Sequence, residues 1–255
     1  MIELKSPSQL QLMRRAGVIV RDLLEILEKT VGPGITTLEL DNLAEKTIVK
    51  MGGQPAFKGY RGYPATICTS VNEEVVHGIP SKRALKPGDI VGIDVGAVIE
   101  GYYSDAAVTV ALEPISPVAR KLMKVTAEAL LEGIALATEE HRLSDISHAI
   151  QKHVESQGFS VVRDFVGHGI GTQLHEAPQI PNYGEPGFGP SLKAGMVLAI
   201  EPMVNEGCPE VHLLDDGWTA VTKDGKLSAH FEHTIAVTKS GPEILTGCLK
   251  KKPSR

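Results

Sequence analysis

The sequence predicts an α+β fold made of two halves, and three observations carry that reading. Segments with helical apolar spacing come in two pairs, and each pair is followed by short β-prone runs. The stretch Asp89 to Val110, DIVGIDVGAVIEGYYSDAAVTV, is apolar and β-prone with a turn signal at Glu100-Gly101, so it reads as a hairpin. Acids stand inside the strand-like runs of both halves: Asp94 and Asp105 in the first, Glu201 and Glu232 in the second. This order hints at an internal duplication with a site at its centre, although the residue identities do not repeat clearly.

Each element follows from local chemistry. Ser6 is an N-cap, and Leu10, Met13, Val20, Leu24 and Leu27 fall at helical spacing until Gly32-Pro33-Gly34 stops the helix. Thr36 and Glu39 form a capping-box pattern before a second helix that ends at Gly52-Gly53. Phe57 to Pro64 is a Gly/Tyr/Pro-rich ordered loop, Ala65 to Val71 a strand, and Val75 to Pro80 a turn carrying a histidine. Leu85 to Asp89 is a turn that feeds the hairpin.

Ser116 followed by Pro117 opens a third helix to about Thr138, because proline suits the first helical position. Ser144 caps a fourth helix that ends at Gly158. Phe159 to Val162 is strand-like, Gly167 to Thr172 glycine-rich, and Pro178 to Pro190 a loop. Met196 to Ile200 is a buried strand. Asp215-Asp216-Gly217 and Lys223 to Lys226 are hairpin-type turns, and Phe231 to Val237 is the last strong strand. With no low-complexity segment and no linker, residues 1–255 read as one domain, with a short N-terminal segment 1–5 and a basic C-terminal tail 248–255.

Bulk properties exclude several classes. The 255 residues are 42% hydrophobic and 22% charged, an ordinary globular composition that can bury a sizeable core. A formal net charge of -5 argues against an electrostatic nucleic-acid binder. Three cysteines, Cys68, Cys208 and Cys248, are an odd count without CxxC spacing. That fits a reducing compartment rather than a disulfide framework. No signal-like block opens the chain, and no run approaches the ~20 apolar residues of a membrane span. A cytoplasmic protein is expected, with no nucleic-acid or membrane partner.

The acids then define a chemistry. Asp94 and Asp105 are eleven positions apart, and a fold-back at Glu100-Gly101 brings them close on adjacent strands. Buried carboxylates at close range need a compensating cation, and hard divalent ions favour oxygen ligands. Glu201 closes the run MVLAIEP, Glu232 opens FEHTIAV, and His168 stands between glycines in VGHGIG. Any one of these could cap a turn, pair with an arginine or end a strand. Five in apolar or glycine-flanked settings are hard to explain separately. Four carboxylates and one imidazole suit two divalent ions rather than a structural zinc site. His77 in VVHGIP and His175 in LHEAP could each donate to a substrate carbonyl or amide. His141, His148, His153, His212 and His230 have no evident acidic partner and stay unassigned, and His233 should face away from Glu232.

The motifs SVNEEVVHGIP, DIVGIDVGAVIEGYYSDAAVTV, GHGIG with LHEAP, AIEPM and FEHTIAVT occur together in this order. From about residue 3 to 247 the chain thereby resembles the type I methionine aminopeptidases of the short bacterial or organellar kind. The resemblance implies the pita-bread fold, a curved antiparallel sheet covered by helices, with pseudo-twofold halves around a dinuclear metal site. It implies Asp94, Asp105, His168, Glu201 and Glu232 as ligands of two divalent ions (Mn, Fe, Co, Ni or Zn). Asp105 and Glu232 would bridge the ions, Asp94 would hold one, and His168 and Glu201 the other. A metal-bridging hydroxide would attack the first peptide bond, with His175 at the oxyanion and Glu201 as proton shuttle. His77 would contact the peptide, and Tyr60, Tyr63, Cys68 and Trp218 would wall a thioether pocket. Leu174 departs from the phenylalanine or methionine often found there, and leaves the pocket apolar.

The implied partners are peptides and nascent chains with a free N-terminal methionine, met by a monomer in transient proximity to the ribosome. Two other functions compete. An Xaa-Pro aminopeptidase should carry a further N-terminal domain, for which the arrival of SVNEEVVHGIP by residue 80 leaves little room. A non-catalytic binding module on the same fold should lack ligands or gain basic insertions, and neither is seen here.

Overall fold

The computed structural model describes residues 2–247, so the basic tail 248–255 lies outside the described residues. The first half runs α1 (Pro7–Thr30), α2 (Thr37–Lys50), β1 (Gln54–Pro55), β2 (Ile67–Val71), β3 (Glu74–Val76), β4 (Ile90–Ile99) and β5 (Tyr102–Ala111). The second half opens with α3 (Pro117–Ala135), α4 (Leu143–Ser156), β6 (Ser160–Val161), β7 (Gly167–Gly169) and β8 (Glu176–Ile180). It continues with β9 (Val197–Ile200), β10 (Met203–Asn205), β11 (Val211–Leu213), β12 (Ala220–Thr222), β13 (Ser228–His230), β14 (His233–Thr238) and β15 (Gly241–Ile244).

Capping follows the expected chemistry at three helices. The Ser6 hydroxyl accepts from the Gln9 N–H, the Gln9 side chain accepts from the Ser6 N–H, and Pro7 takes the first turn. Thr36 and Glu39 repeat the box at α2, and Ser116 accepts from Ala119 at α3. Ser144, however, is not a cap. The helix α4 starts at Leu143 with Arg142 as N-cap, and the Asp145 carboxylate accepts from the Arg142 N–H at 2.7 Å. The Ser144 hydroxyl instead accepts from Phe188 N–H. Helix α3 ends at Ala135, three residues before the expected Thr138, in a turn closed by Leu136 and Ala137 N–H groups.

Four antiparallel sheets form among the described residues. The strand β4 pairs with β2, with β1 and along its whole length with β5. A second sheet has the order β15-β14-β9-β7-β8, and two smaller ones are β13-β10-β6 and β11-β12-β3. Each helix pair covers its own half. Met13, Val20, Leu23 and Leu27 of α1 are fully buried, and α1 with α2 packs on the β4–β5 hairpin. The α3–α4 pair forms a separate cluster with Leu198, Ile200 and Ile235 of the second sheet. This two-half division is the one read from the repeating order of elements.

Three strand boundaries differ from expectation. Val75 to Pro80 is not all turn, since Val75 and Val76 belong to β3 and pair with β12. The Pro178 loop begins inside β8. The Lys223 to Lys226 turn joins β12 to β13, which lie in different sheets, so it closes no hairpin. None of the helices is long and apolar enough to cross a membrane, among the described residues.

Candidate active site

The site forms on a seam where the two halves exchange hydrogen bonds. The hairpin turns at Glu100 (φ 49) and Gly101 (φ 79), both left-handed, as a two-residue I′ turn requires. The resulting register sets Asp94 opposite Ala107 and Asp105 opposite Gly96, so the two aspartates lie diagonally on one face. The other edge of β5 meets the segment 230–234. The Glu232 N–H donates to the Ala107 carbonyl at 2.9 Å, and the Thr109 hydroxyl donates to the His230 carbonyl at 2.8 Å. The Thr234 hydroxyl lies 2.9 Å from the Asp105 Oδ1 and accepts from the Asp105 N–H. Glu232 therefore sits between β13 and β14 rather than within a strand, held by its own backbone against β5.

All eleven expected site residues line one cavity of about 160 Å³, together with Phe57, Arg61 and Leu174. At its floor, one ligand atom each from Asp105, His168 and Glu232 lies within 4.8 Å of the others. The His168 Nε2 stands 3.6 Å from the Asp105 Oδ2 and 3.5 Å from the Glu201 Oε1. Its Nδ1 is 3.0 Å from the Gly169 carbonyl; donation there leaves Nε2 as the lone-pair nitrogen facing the acids. Gly167 and Gly169 admit this strand because a Cβ on either would collide with neighbouring backbone carbonyls. Asp94 and Glu201 line the same cavity outside the tightest trio.

The electrostatics are those of carboxylates crowded together out of water. Burial, and then the neighbouring carboxylates, push Asp94, Glu201 and Glu232 well above the ordinary carboxylate range. Burial also raises Asp105, to about 6, against the opposing bond from Thr234. The Asp94 Oδ1 is shut off from solvent and has no hydrogen-bond partner. A buried carboxylate oxygen without a donor, on a residue that lines the same cavity as three more acids and an imidazole, fits a divalent cation.

The rim is built differently. The His175 ring packs 4.2 Å from the His168 ring, and its Nδ1 lies 2.8 Å from the Tyr60 hydroxyl. Burial, and then His168, lower its pKa to about 4, so the ring is neutral at pH 7. His77 has a left-handed φ of 61, strained for a non-glycine residue, and its ring meets the edges of Phe165 and Trp218. Burial lowers its pKa to about 4 as well. Tyr63 packs edge-on to Trp218 at 5.1 Å, and its hydroxyl lies 3.0 Å from each of the Ile67 and Gly78 carbonyls. Cys68 and Leu174 are buried beside it, and burial pushes the Cys68 thiol up.

Sequence reasoning missed several contributors. His230 has no acidic partner evident in the sequence, yet its buried Nε2 stands 3.8 Å from the Glu201 Oε2, too far for a hydrogen bond and without another partner. The approach crosses from β13 to the end of β9, and no spacing signals it. Thr234 and Thr109 were invisible for the same reason. Thr234, two positions after Glu232, could have been suspected from strand alternation alone. As expected, His233 faces away and bonds to Thr246.

The chain matches the model of metallopeptidase family M24 over residues 11–239. It is 56% identical to a methionine aminopeptidase of Clostridium perfringens over 246 residues, 96% of this chain and 99% of that protein. The crystal structure of methionine aminopeptidase from Thermotoga maritima superposes with a TM-score of 0.96 at 51% identity, covering 97% of this chain and 100% of that one. A prolidase from Pyrococcus furiosus shares the fold alone, with a TM-score of 0.78 at 21% identity, and 66% of that longer chain is covered. The architecture is the pita-bread fold, and the chain belongs to metallopeptidase family M24 and, within it, to the methionine aminopeptidases.

Proposed function

We propose that this protein removes the N-terminal methionine from peptides and nascent chains, as a single catalytic domain acting in the cytoplasm. The observation that carries the reading is the convergence of Asp94, Asp105, His168, Glu201 and Glu232, from both halves, on one cavity beside an apolar wall. These five residues would hold the divalent ions, their oxygens and one imidazole being the donors that such cations favour. Ions in this site supply Lewis acidity toward a water and toward the scissile carbonyl.

The protein's own groups do the rest. The Tyr60 hydroxyl, donating to His175 Nδ1, places the ring proton on Nε2, where it donates to the developing oxyanion. His77 contacts the peptide beyond the scissile bond. Glu201, which lines the same cavity, carries a proton to the leaving amine. Tyr63, Cys68, Leu174 and Trp218 receive the thioether side chain, and each methylene of misfit costs about 1–3 kcal/mol. The acidic floor faces the free amino end of the substrate, so an acylated terminus is refused.

The test is chelation followed by add-back of Mn, Fe, Co, Ni or Zn, scoring methionine release from a Met-Ala-Ser peptide. N-acetylated, Met-Pro and Ala-Pro peptides run alongside. Metal-dependent methionine release blocked by acetylation supports the reading. Preferential cleavage of the Ala-Pro peptide, or a folded protein inert with every metal, overturns it.

A further inference from the structure

Lys5 belongs to the short N-terminal segment ahead of α1, far in sequence from every site residue. Its side chain is nonetheless 1% exposed. The ammonium donates to the Glu176 Oε2 at 2.7 Å and lies 3.1 Å from the Glu3 Oε2, while the Lys5 N–H donates to the Gly195 carbonyl at 2.7 Å. A buried ammonium without such partners would be strongly destabilising, so the side chain goes where its anion is.

Glu176 is the residue after His175. Its other oxygen, Oε1, accepts from the Gln173 N–H at 3.1 Å and from the Thr172 hydroxyl at 3.3 Å. One carboxylate thus gathers both ends of the irregular loop 171–176. Burial alone would raise the Glu176 carboxyl, but the bonds from Lys5 and Gln173 hold it below the ordinary range. Gly171 makes room for the arrangement, since a Cβ there would collide with the Lys5 Cε and Nζ and with the Glu176 carboxylate. The Gly171 carbonyl in turn accepts from the Tyr103 N–H on β5, two residues before Asp105.

We propose that Lys5 and Glu176 are positioning residues for the reaction: they lock the loop that presents His175 at the height of the scissile carbonyl. The inference rests on the reading of His175 as the oxyanion donor. A locked donor acts where charge develops, so loss of the lock lowers kcat and leaves KM and metal binding in place.

The experiment is a double-mutant cycle on the metal-loaded enzyme with the Met-Ala-Ser peptide, using Lys5→Met, His175→Ala and the pair. Calorimetric Mn²⁺ binding to the stripped proteins serves as the second readout. Lys5→Met should lower kcat roughly tenfold to a hundredfold, the range for a misplaced catalytic group. KM and Mn²⁺ affinity should stay at wild-type values, and Lys5→Met should add no loss in the His175→Ala background. Glu176→Gln and Gly171→Ala carry the same prediction should Lys5→Met fail to fold. Unchanged kcat, or an equal fold-loss in both backgrounds, overturns the positioning role. If His175→Ala alone leaves kcat intact, the oxyanion reading itself falls, a result distinct from a failed cycle.

Discussion

The floor and the rim of the cavity are built by different means. The floor acids ride on paired backbone: Asp94 and Asp105 on the β4–β5 hairpin, and Glu232 on the main-chain seam with Ala107. The rim groups are held by side chains instead. His175 leans on Tyr60 and His168, His77 on Phe165 and Trp218, and the loop 171–176 on Lys5. The floor is thus held by main-chain pairing and the rim by side-chain contacts, so substitutions in the two regions should act differently.

Changes that strike the floor should be the most severe. Asp105→Asn keeps the shape and the Thr234 contact but removes a shared charge. Peptide turnover should fall roughly a thousandfold or more, the equivalent of several kcal/mol of Lewis-acid stabilisation. Mn²⁺ binding by calorimetry should weaken in parallel, and intact binding with lost turnover would remove Asp105 from the ligand set. On the rim, His175→Ala should cost about a hundredfold to a thousandfold in kcat while Mn²⁺ affinity holds. Were affinity to fall as well, floor and rim would not be separable.

Smaller effects probe how each region is supported. Thr234→Val deletes the hydroxyl beside Asp105, and Mn²⁺ affinity should drop roughly tenfold, as for other groups that orient a metal ligand. An unchanged affinity would mean that the seam backbone alone holds the carboxylate. Trp218→Ala should raise KM for methionyl peptides about tenfold with little change in kcat, since it opens a wall and touches no reacting atom. A kcat loss would show that Trp218 acts through His77.

The mildest expected effect is on stability. Without metal, burial raises Asp94, Asp105, Glu201 and Glu232 above their unfolded values. Their stabilising contribution is then complete below roughly pH 4 and is lost as pH climbs through about 6 and beyond. Calorimetric Tm values for chelated and Mn²⁺-loaded protein should therefore diverge as pH rises. A constant gap from pH 5 to 8 would show that these acids are compensated by something other than a cation.

Local rules made much of this molecule legible in the sequence. Caps at Ser6, Thr36 and Ser116 started three helices, and the Glu100-Gly101 turn brought both aspartates close on adjacent strands, because each depends on a few adjacent residues. The failures were local rules overridden. Ser144 resembles a cap, but the helix caps two positions earlier at Arg142, whose N–H the Asp145 carboxylate accepts, and the serine is free for Phe188. Tyr60, Tyr63, Cys68 and Trp218 came only through the resemblance to a known family, because no local pattern singles them out, whereas His77 and His175 stood out as histidines beside the acids.

By itself, then, the sequence determined the two helix-and-strand halves, the hairpin and the residue types that need a cation. Tertiary structure decided that Glu232 docks its backbone on Ala107, that the Thr234 hydroxyl meets the Asp105 carboxylate, and that Lys5 comes within 2.7 Å of Glu176, 171 positions away. Capping and alternation are encoded over a handful of neighbours. A pairing between distant segments is settled only when both halves bury their apolar faces and the polar groups left between them must find partners in each other.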